Sequence, residues 1–450
     1  MENKLTGKQY VLISSMLFGL FFGAGNLIFP IILGAKAGNN IIPALIGMLI
    51  TAVGVPLLGI VAMGISRSEG LLHMSGRVSK PYSYFFTCAL YLTIGPLFAI
   101  PRCAATSFTV GINPIVGESN TALWRLIFSA VFFAAVLFFS LRPSNIMESV
   151  GKWLNPIFLV FLGVLIVAAL ISPVQSAFSV DPSGDYTSAS FATGFLQGYD
   201  TLDALASLAF GIIVINVIRE HGVKKPESIA KCTVKSGIFS MTFMAVIYAL
   251  IAFVGAQSFG LYGERVLNDP NFTGGDAFAL IAKHYFGNAG IIILAITVTF
   301  CCLKTAIGLV TSCSETFSAI FPKTFSYKVY AIVFTAFSFI VSNIGLSKII
   351  TFSAPVLYFL YPLAIALILL SLFGKLFGYS KCVFVSTIAF TMIAAVLDLI
   401  RVSGISALKG FIETVSKYLP LYSAGMGWII PTGAGFLIGL IIKALSKKKQ

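Results

Sequence analysis

The sequence has little charge. Of its 450 residues only 10% are Asp, Glu, Lys or Arg, against 58% hydrophobic residues, whereas a soluble globular protein carries about 25% charged residues. A water-soluble core of this size requires a polar surface that this sequence does not supply. Acidic residues are especially few, 16 against 30 lysines and arginines. Because the basic residues lie in short loops between apolar runs, they do not form a nucleic-acid-binding surface.

Metal-binding and redox motifs are also lacking. The histidines (His73, His221 and His284) are far apart and lack the spacing of a metal site. The seven cysteines lie in or beside apolar segments without a pairing pattern, which argues against a disulfide framework. No GxxxxGK phosphate-binding loop occurs, so nothing supports ATP as the driving force. An enzyme is the weakest interpretation, because no nucleophile–base cluster appears in the apolar runs, and no cofactor is expected.

Long apolar runs are abundant instead. A membrane-spanning helix needs about 20 apolar residues, and the runs at 41–65 and 349–373 each contain 25 residues without a charge. We therefore predict an all-α integral membrane protein with about twelve transmembrane helices in a lipid bilayer. The predicted spans are 8–36, 41–65, 81–107, 121–141, 151–172, 190–218, 228–257, 288–315, 325–344, 347–373, 381–401 and 424–445.

The distribution of basic residues indicates the orientation. If the N-terminus is inside, 20 of the 30 lysines and arginines fall at the termini or in loops that are then cytoplasmic. The loop at 173–189 contains Asp181 and Asp185 but no basic residue, as expected of an external loop. Both termini are therefore predicted to be cytoplasmic.

Small and polar residues interrupt the first span at Gly23-Ala24-Gly25-Asn26. Two glycines and an asparagine at mid-span favour unwinding of the helix. In lipid, such a break is tolerated only where protein or a water-filled cavity satisfies the freed polar groups. The half-helix that follows directs N–H groups to mid-membrane, where they can bind a carboxylate. The alternative is a small-residue surface for helix packing.

The sixth span contains a polar cluster, Gln197-Gly198-Tyr199-Asp200-Thr201-Leu202-Asp203. A charge at mid-membrane costs about 2.5–3.5 kcal/mol, so two acidic residues within an apolar run indicate a functional site. The alternative is a span that begins later, with both acids at the outer surface. The run at 204–218 is by itself too short to cross, which favours the functional interpretation.

Spans one and six are the first members of two five-helix sets, 8–172 and 190–373. Broken helices at matching positions in two halves are typical of an inverted-repeat secondary transporter, whose site lies between the breaks. The segment 381–445 is predicted to add two transmembrane helices. A channel is the alternative of a different class, but it is expected to show a symmetric oligomer or a ring of charged pore residues.

Two other charged residues lie near span ends. Asp398 is three residues from the outer end of its span and is expected to be solvated. Arg102 follows Pro101 at a helix end, where a structural role and a gating role are equally compatible with the sequence.

Three motifs carry a family resemblance: FGAGNLIFP at 22–30, IGPLFAIPR at 94–102 and GFLQGYDTLDALASLAFG at 194–211. They resemble the branched-chain amino acid:cation symporter family, the BrnQ transporters, over essentially the whole chain. The resemblance implies a LeuT-type fold and uptake of leucine, isoleucine and valine across a bacterial cytoplasmic membrane, driven by a sodium or proton gradient. Another small apolar amino acid stays open as the substrate, and no obligatory protein partner is evident.

The resemblance also implies site residues. In the LeuT-type fold the substrate carboxylate meets N–H groups at the first break, and the amine meets carbonyls and polar groups at both breaks. A side-chain oxygen near a cation is implied for the asparagine of the first break. The implied substrate-binding residues are Phe21, Gly23, Ala24, Gly25, Asn26, Gly198, Tyr199, Asp200 and Asp203.

A coupling-ion site is implied between spans one and eight. Where sodium symporters carry small or hydroxyl residues, this sequence has Lys304, the 17th residue of an otherwise uncharged run from Asn288. We hypothesise that its ammonium occupies the sodium position and can load and release a proton. The alternative is a side chain that snorkels to the cytoplasm. The implied ion-site residues are Gly19, Phe22, Cys301, Lys304 and Thr305.

Overall fold

The fold is helical. The computed structural model describes residues 5–23, 25–117, 120–142, 145–223 and 225–447. Helix accounts for 84% of the structure, and these ranges contain no strand. The helices are α1 (Gly7–Phe21), α2 (Gly25–Ala37), α3 (Ile41–Leu49), α4 (Val55–Ile65), α5 (Leu71–Gly76), α6 (Lys80–Leu92), α7 (Ala99–Ser107), α8 (Asn113–Val116), α9 (Thr121–Leu141), α10 (Asn145–Ile171), α11 (Ser190–Gln197), α12 (Asp203–Glu220), α13 (Pro226–Gln257), α14 (Gly263–Asn268), α15 (Gly274–Ile320), α16 (Tyr327–Ser342), α17 (Leu346–Leu372), α18 (Lys381–Val402), α19 (Lys409–Tyr418) and α20 (Ile429–Lys447).

Several helical segments can cross a bilayer. Within the described ranges, eight helical segments are long and apolar enough to do so, and the bent pair α11–α12 makes a ninth if it is one span. The all-α membrane architecture is thereby confirmed, whereas the number of twelve spans stays a prediction. The eight segments are Gly25–Ile65, Lys80–Val116, Thr121–Leu141, Glu227–Gln257, Gly274–Ile320, Leu346–Leu372, Lys381–Val402 and Ile429–Ser446.

The outside of the helix bundle is apolar. Val131, Val160, Phe239 and Ile340, on four different helices, are between 66% and 69% exposed. Large apolar surfaces of this kind are rare on soluble monomers. They match the hydrocarbon of a bilayer, in which such side chains gain nothing by being buried in protein.

The first and sixth spans pack in a reciprocal manner. α2 crosses α13, and α11 crosses α3. A Cβ added at Gly34 of α2 would overlap the backbone of Ala252, and one at Gly194 of α11 would overlap the backbone of Ala44. Small residues allow the helix axes to approach closely at both crossings. The first span thus packs on the seventh, and the sixth span packs on the second. This correspondence is the pattern of an inverted five-plus-five repeat. The repeat boundaries at 8–172 and 190–373 stay a prediction.

The C-terminal helices form an addition at one side. α18 (Lys381–Val402) and α20 (Ile429–Lys447) pack against each other, and α18 also packs on α17. The short helix α19 lies between them in the chain. Neither α18 nor α20 separates the two broken spans, so the candidate site is built from the preceding helices.

Candidate functional site

The first span is broken where the sequence predicted. α1 ends at Phe21, and α2 begins at Gly25. The Gly23 N–H donates to Oδ1 of Asn26 over 2.7 Å, so the asparagine satisfies a backbone group that the break leaves free. Its oxygen is thereby directed at the break itself. Ala24, also predicted to bind substrate, lies outside the described residues.

The sixth span is broken within its polar cluster. α11 is followed by a 3₁₀ turn, Gly198–Thr201, and α12 begins at Asp203 with a bend of 45°. Leu202 between them has a left-handed backbone, with φ of 66°. A non-glycine residue in this region carries about 1–2 kcal/mol of strain, which is tolerated mainly at functional sites. The strained turn places the Asp203 carboxylate at the start of α12.

Asn26 and Asp203 join the two breaks. Nδ2 of Asn26 donates to Oδ2 of Asp203 over 2.9 Å, and the Tyr248 hydroxyl of α13 donates to the same oxygen over 2.9 Å. A further short hydrogen bond joins Asn26 to Tyr248. All three residues are buried. Both of these donors engage Oδ2 of Asp203, so its Oδ1 is able to accept from a further partner.

Arg102 brings a positive charge to the same place. The third span is interrupted at Gly95, whose backbone is non-helical, and α7 then carries Arg102 between the breaks. Its Nη1 donates to the backbone oxygen of Asp200 over 2.6 Å. A Cβ added at Gly25 would lie 3.1 Å from Nη2, so the guanidinium lies directly against the start of α2. Arg102 is only 6% exposed and has no ion-pair partner among the residues that the structure describes.

These groups line one cavity of about 60 Å³ between the broken spans. Five of the predicted substrate-binding residues line it, and the third and eighth spans complete its wall. The cavity therefore brings a guanidinium, a carboxyl group and an apolar wall together in one space. Its lining residues are Phe21, Gly23, Gly25, Asn26, Ile94, Ala99, Arg102, Cys103, Thr201, Leu202, Asp203, Ala206, Phe210, Thr305 and Leu309.

The other three predicted residues of the sixth span lie outside this cavity. Gly198 packs against Thr51. The ring of Tyr199 stacks on that of Tyr361, with centroids 4.1 Å apart. Asp200 lines a separate pocket of about 430 Å³. The 3₁₀ turn therefore directs the two acids of the cluster into different spaces.

The pocket beside Asp200 lies next to the loop at 173–189. Tyr186 of that loop lines it, and its hydroxyl donates to Gln197. Burial raises the pKa of Tyr186 above its ordinary value, so the hydroxyl stays protonated as this bond requires. Gln197 in turn donates to the backbone oxygen of Phe29 over 3.3 Å, which ties the loop to both broken spans.

The five implied ion-site residues line a second, smaller cavity, of about 20 Å³. Nζ of Lys304 lies 3.8 Å from the position that a Cβ on Gly19 would occupy. Lys304 has no hydrogen-bond or ion-pair partner in the described parts of the chain. Thr305 lines both this cavity and the larger one, so the two spaces share a wall on α15.

No group of three metal-ligating side chains occurs within the described ranges.

Comparison with known proteins gives the family. The family model described as branched-chain amino acid transport protein matches residues 6–446. The branched-chain amino acid permease BrnQ of Lactobacillus delbrueckii subsp. lactis is 49% identical over 459 residues, covering 100% of both chains. The chain belongs to the branched-chain amino acid transport protein family. It is thus a bacterial-type multi-pass membrane transporter.

Two solved structures show the fold of this transporter. Mhp1, a nucleobase-cation-symport-1 family transporter in a closed conformation with bromovinylhydantoin bound, has a TM-score of 0.59 at 15% identity, covering 96% of this chain and 92% of its own. MhsT in complex with L-phenylalanine has a TM-score of 0.58 at 16% identity, covering 99% of both chains. Both have the LeuT fold, so the predicted LeuT-type fold is confirmed.

Sequence reasoning left Arg102 and Tyr248 out of the candidate site of this transporter. A charge inside an apolar stretch was the available signal for Arg102. Tyr248 has no such signal, because a tyrosine in a span is ordinary. Asp398, expected to be solvated, is instead 1% exposed and lies 3.4 Å from Nε of Arg401, which lines the pocket beside Asp200. The pairing lets the carboxylate be buried near the end of its span.

Proposed function

We propose that this transporter is a symporter that imports leucine, isoleucine and valine across the bacterial cytoplasmic membrane, coupled to protons or sodium. The observation that carries the proposal is that Arg102 and Asp203 line one cavity between two broken helices. An amino acid has complementary charges on its carboxylate and ammonium groups. The Lactobacillus relative, which is named a branched-chain amino acid permease, supports this substrate class.

The substrate carboxylate is assigned to the start of α2. A helix N-terminus presents free N–H groups and a partial positive charge. Arg102 lies against Gly25 at that N-terminus and has donors that remain after its bond to the Asp200 backbone. A guanidinium that binds a carboxylate with two parallel hydrogen bonds fixes both position and orientation.

The substrate ammonium is assigned to Asp203. Two neighbours orient its carboxylate through Oδ2, which leaves Oδ1 able to accept from the substrate. An ammonium donor placed in the cavity satisfies that oxygen and neutralises the charge. Asn26 donates to the same carboxylate, so substrate binding at Asp203 affects the breaks of both spans.

The substrate side chain is assigned to the apolar wall. Phe21, Ile94, Phe210 and Leu309 come from the first, third, sixth and eighth spans. An aliphatic tail needs no hydrogen-bond partner there, whereas a polar side chain would be buried without one. This wall favours leucine, isoleucine and valine over polar amino acids.

Coupling is assigned to the cavity around Lys304. A lysine ammonium has one positive charge and three donors, and Nζ of Lys304 lies beside Gly19 of the first span, so we assign it to the position at which sodium lies in related folds. Thr305 is common to both cavities. Protonation or movement of Lys304 therefore acts on the wall of the substrate cavity.

Counterflow in proteoliposomes tests the substrate assignment. Vesicles loaded with unlabelled leucine take up labelled leucine transiently if a carrier exchanges it, and we expect unlabelled valine and isoleucine to compete. Vesicles without protein and excess external serine are the controls. Absence of exchange overturns the proposal, and so does labelled leucine that merely equilibrates, as through a channel. If alanine or phenylalanine competes as well as valine does, the protein is a carrier with a different range of apolar amino-acid substrates.

A further inference from the structure

A groove between α4, α13 and α17 lies apart from both cavities of the transport site. Its volume is about 560 Å³. The walls are apolar side chains of three helices: Val61, Ile65, Val234, Ile238 and Leu372. Ile238 is 54% exposed, and its neighbour Phe239 is 69% exposed. The groove therefore opens onto the surface that the bilayer covers.

The water-side rim of this groove is basic. Arg67, Lys231, Lys235 and Lys375 line it, against the single carboxylate of Glu227. Lys375 already pairs with that carboxylate over 3.1 Å. Three of the four cations therefore remain without a carboxylate partner from the groove.

These cations lie at one end of the groove. Lys235 lies over the Tyr10 ring, 4.6 Å from its centroid, which fixes its position beside α1. α4 ends and α13 begins near this rim, so the apolar walls continue from it toward the middle of the membrane. The distribution of basic residues assigns this end to the cytoplasm.

We propose that the groove binds one anionic phospholipid, with the phosphate on the basic rim and an acyl chain along the apolar walls. A free phosphate would engage only the rim, and a zwitterionic lipid would bring a cation of its own to the basic rim. An anionic lipid satisfies both parts of the groove at once. Basic pockets between transmembrane helices on the cytoplasmic side bind such headgroups by this combination.

The position of the groove gives the lipid a route to influence transport. α4 packs on the sixth span through α12, and α13 packs on the first span through α2. A lipid held between them touches the helices against which both broken spans move. This consequence depends on the proposed function, whereas binding of the lipid does not.

The test is native mass spectrometry of the purified full-length transporter, titrated with phosphatidylglycerol or phosphatidylethanolamine. We expect one saturable phosphatidylglycerol and weaker phosphatidylethanolamine binding. Each basic side chain contributes about five-fold to affinity for an anionic lipid surface. The double variant Arg67→Gln/Lys231→Gln should therefore weaken binding by about 25-fold.

A matched control separates this groove from the general basic surface. Lys323→Gln/Lys328→Gln removes two exposed lysines from the same predicted side without touching the groove, and it should bind as the unaltered protein does. Equal loss in both double variants, or no loss in either, overturns the proposal. Competition by millimolar inorganic phosphate that fully displaces the lipid would show a free-phosphate site and would also overturn it. Leucine counterflow measured alongside shows whether a failure belongs to the lipid site or to the proposed function.

Discussion

Nδ2 of Asn26 lies 2.9 Å from Oδ2 of Asp203, so a buried side-chain hydrogen bond joins the break of the first span to the break of the sixth span. Tyr248 of the seventh span donates to the same carboxylate oxygen. A ligand that binds Asp203 therefore contacts a carboxylate that is hydrogen-bonded to α2 and α13 as well as being part of α12. The proposed ammonium site at Asp203 therefore lies on a contact that is shared by three helices.

Asp203→Asn tests the ammonium assignment. A hydrogen bond to a charged group contributes about 1.5–3 kcal/mol, so we expect leucine affinity to fall roughly 10- to 150-fold. The measurement is competition in counterflow. 4-Methylpentanoate, which is leucine without its amine, should compete equally against both proteins.

The control for this change is Asp181→Asn, at an exposed position of the loop at 173–189. It should leave leucine affinity unaltered. If Asp203→Asn binds leucine as tightly as the control does, the ammonium has another partner.

Arg102→Gln tests the carboxylate assignment. Loss of a charged, two-bond partner should weaken leucine binding by at least ten-fold, because roughly 1.5–3 kcal/mol is removed. 3-Methylbutylamine, which is leucine without its carboxylate, should compete to the same extent before and after the change. Arg125→Gln is the matched control, since Arg125 also donates to a backbone carbonyl but lines no part of the cavity. Parallel loss of both ligands in Arg102→Gln would indicate a structural role instead.

Lys304→Thr separates coupling from binding. We expect counterflow to persist, because exchange needs no gradient, while accumulation driven by a proton gradient is lost with the group that carries the proton. Uptake is measured in proteoliposomes under separately imposed gradients. Lys283→Thr, an exposed lysine earlier in α15, is the control. Unaltered coupling in Lys304→Thr rules out the assigned role.

Gly194→Ala tests the close crossing of α11 and α3. An added Cβ overlaps the Ala44 backbone, and overpacking of this kind typically costs about 1–3 kcal/mol. We expect a lower midpoint of thermal unfolding in detergent, followed by fluorescence. Gly163→Ala on α10, where a Cβ meets nothing within 4 Å, should be neutral. Equal midpoints for the two variants would show that the crossing tolerates a wider spacing.

The breaks could be predicted from the sequence because glycine and polar residues are costly inside an apolar span. Gly23 and Asn26 therefore marked the break in the first span, and Asp203 marked the break in the sixth span. Composition does not give the direction of each side chain. The left-handed backbone of Leu202 directs Asp203 into the cavity between the broken spans, while Asp200 lines the separate pocket of about 430 Å³.

Residues that reach the site from other helices were harder to predict. Arg102 depends on the interruption at Gly95, and Tyr248 on the crossing of the first and seventh spans. Both are tertiary features without a local pattern. Lys304 was predictable because a lone charge in an uncharged run is itself a signal.

Leucine accumulation in vesicles, with sodium and proton gradients imposed independently, tests cation-coupled import most directly. Accumulation above the external concentration under at least one of the two gradients, abolished when that gradient is collapsed, is the expected result. Leucine that only equilibrates, whichever gradient is imposed, would contradict the proposed symport.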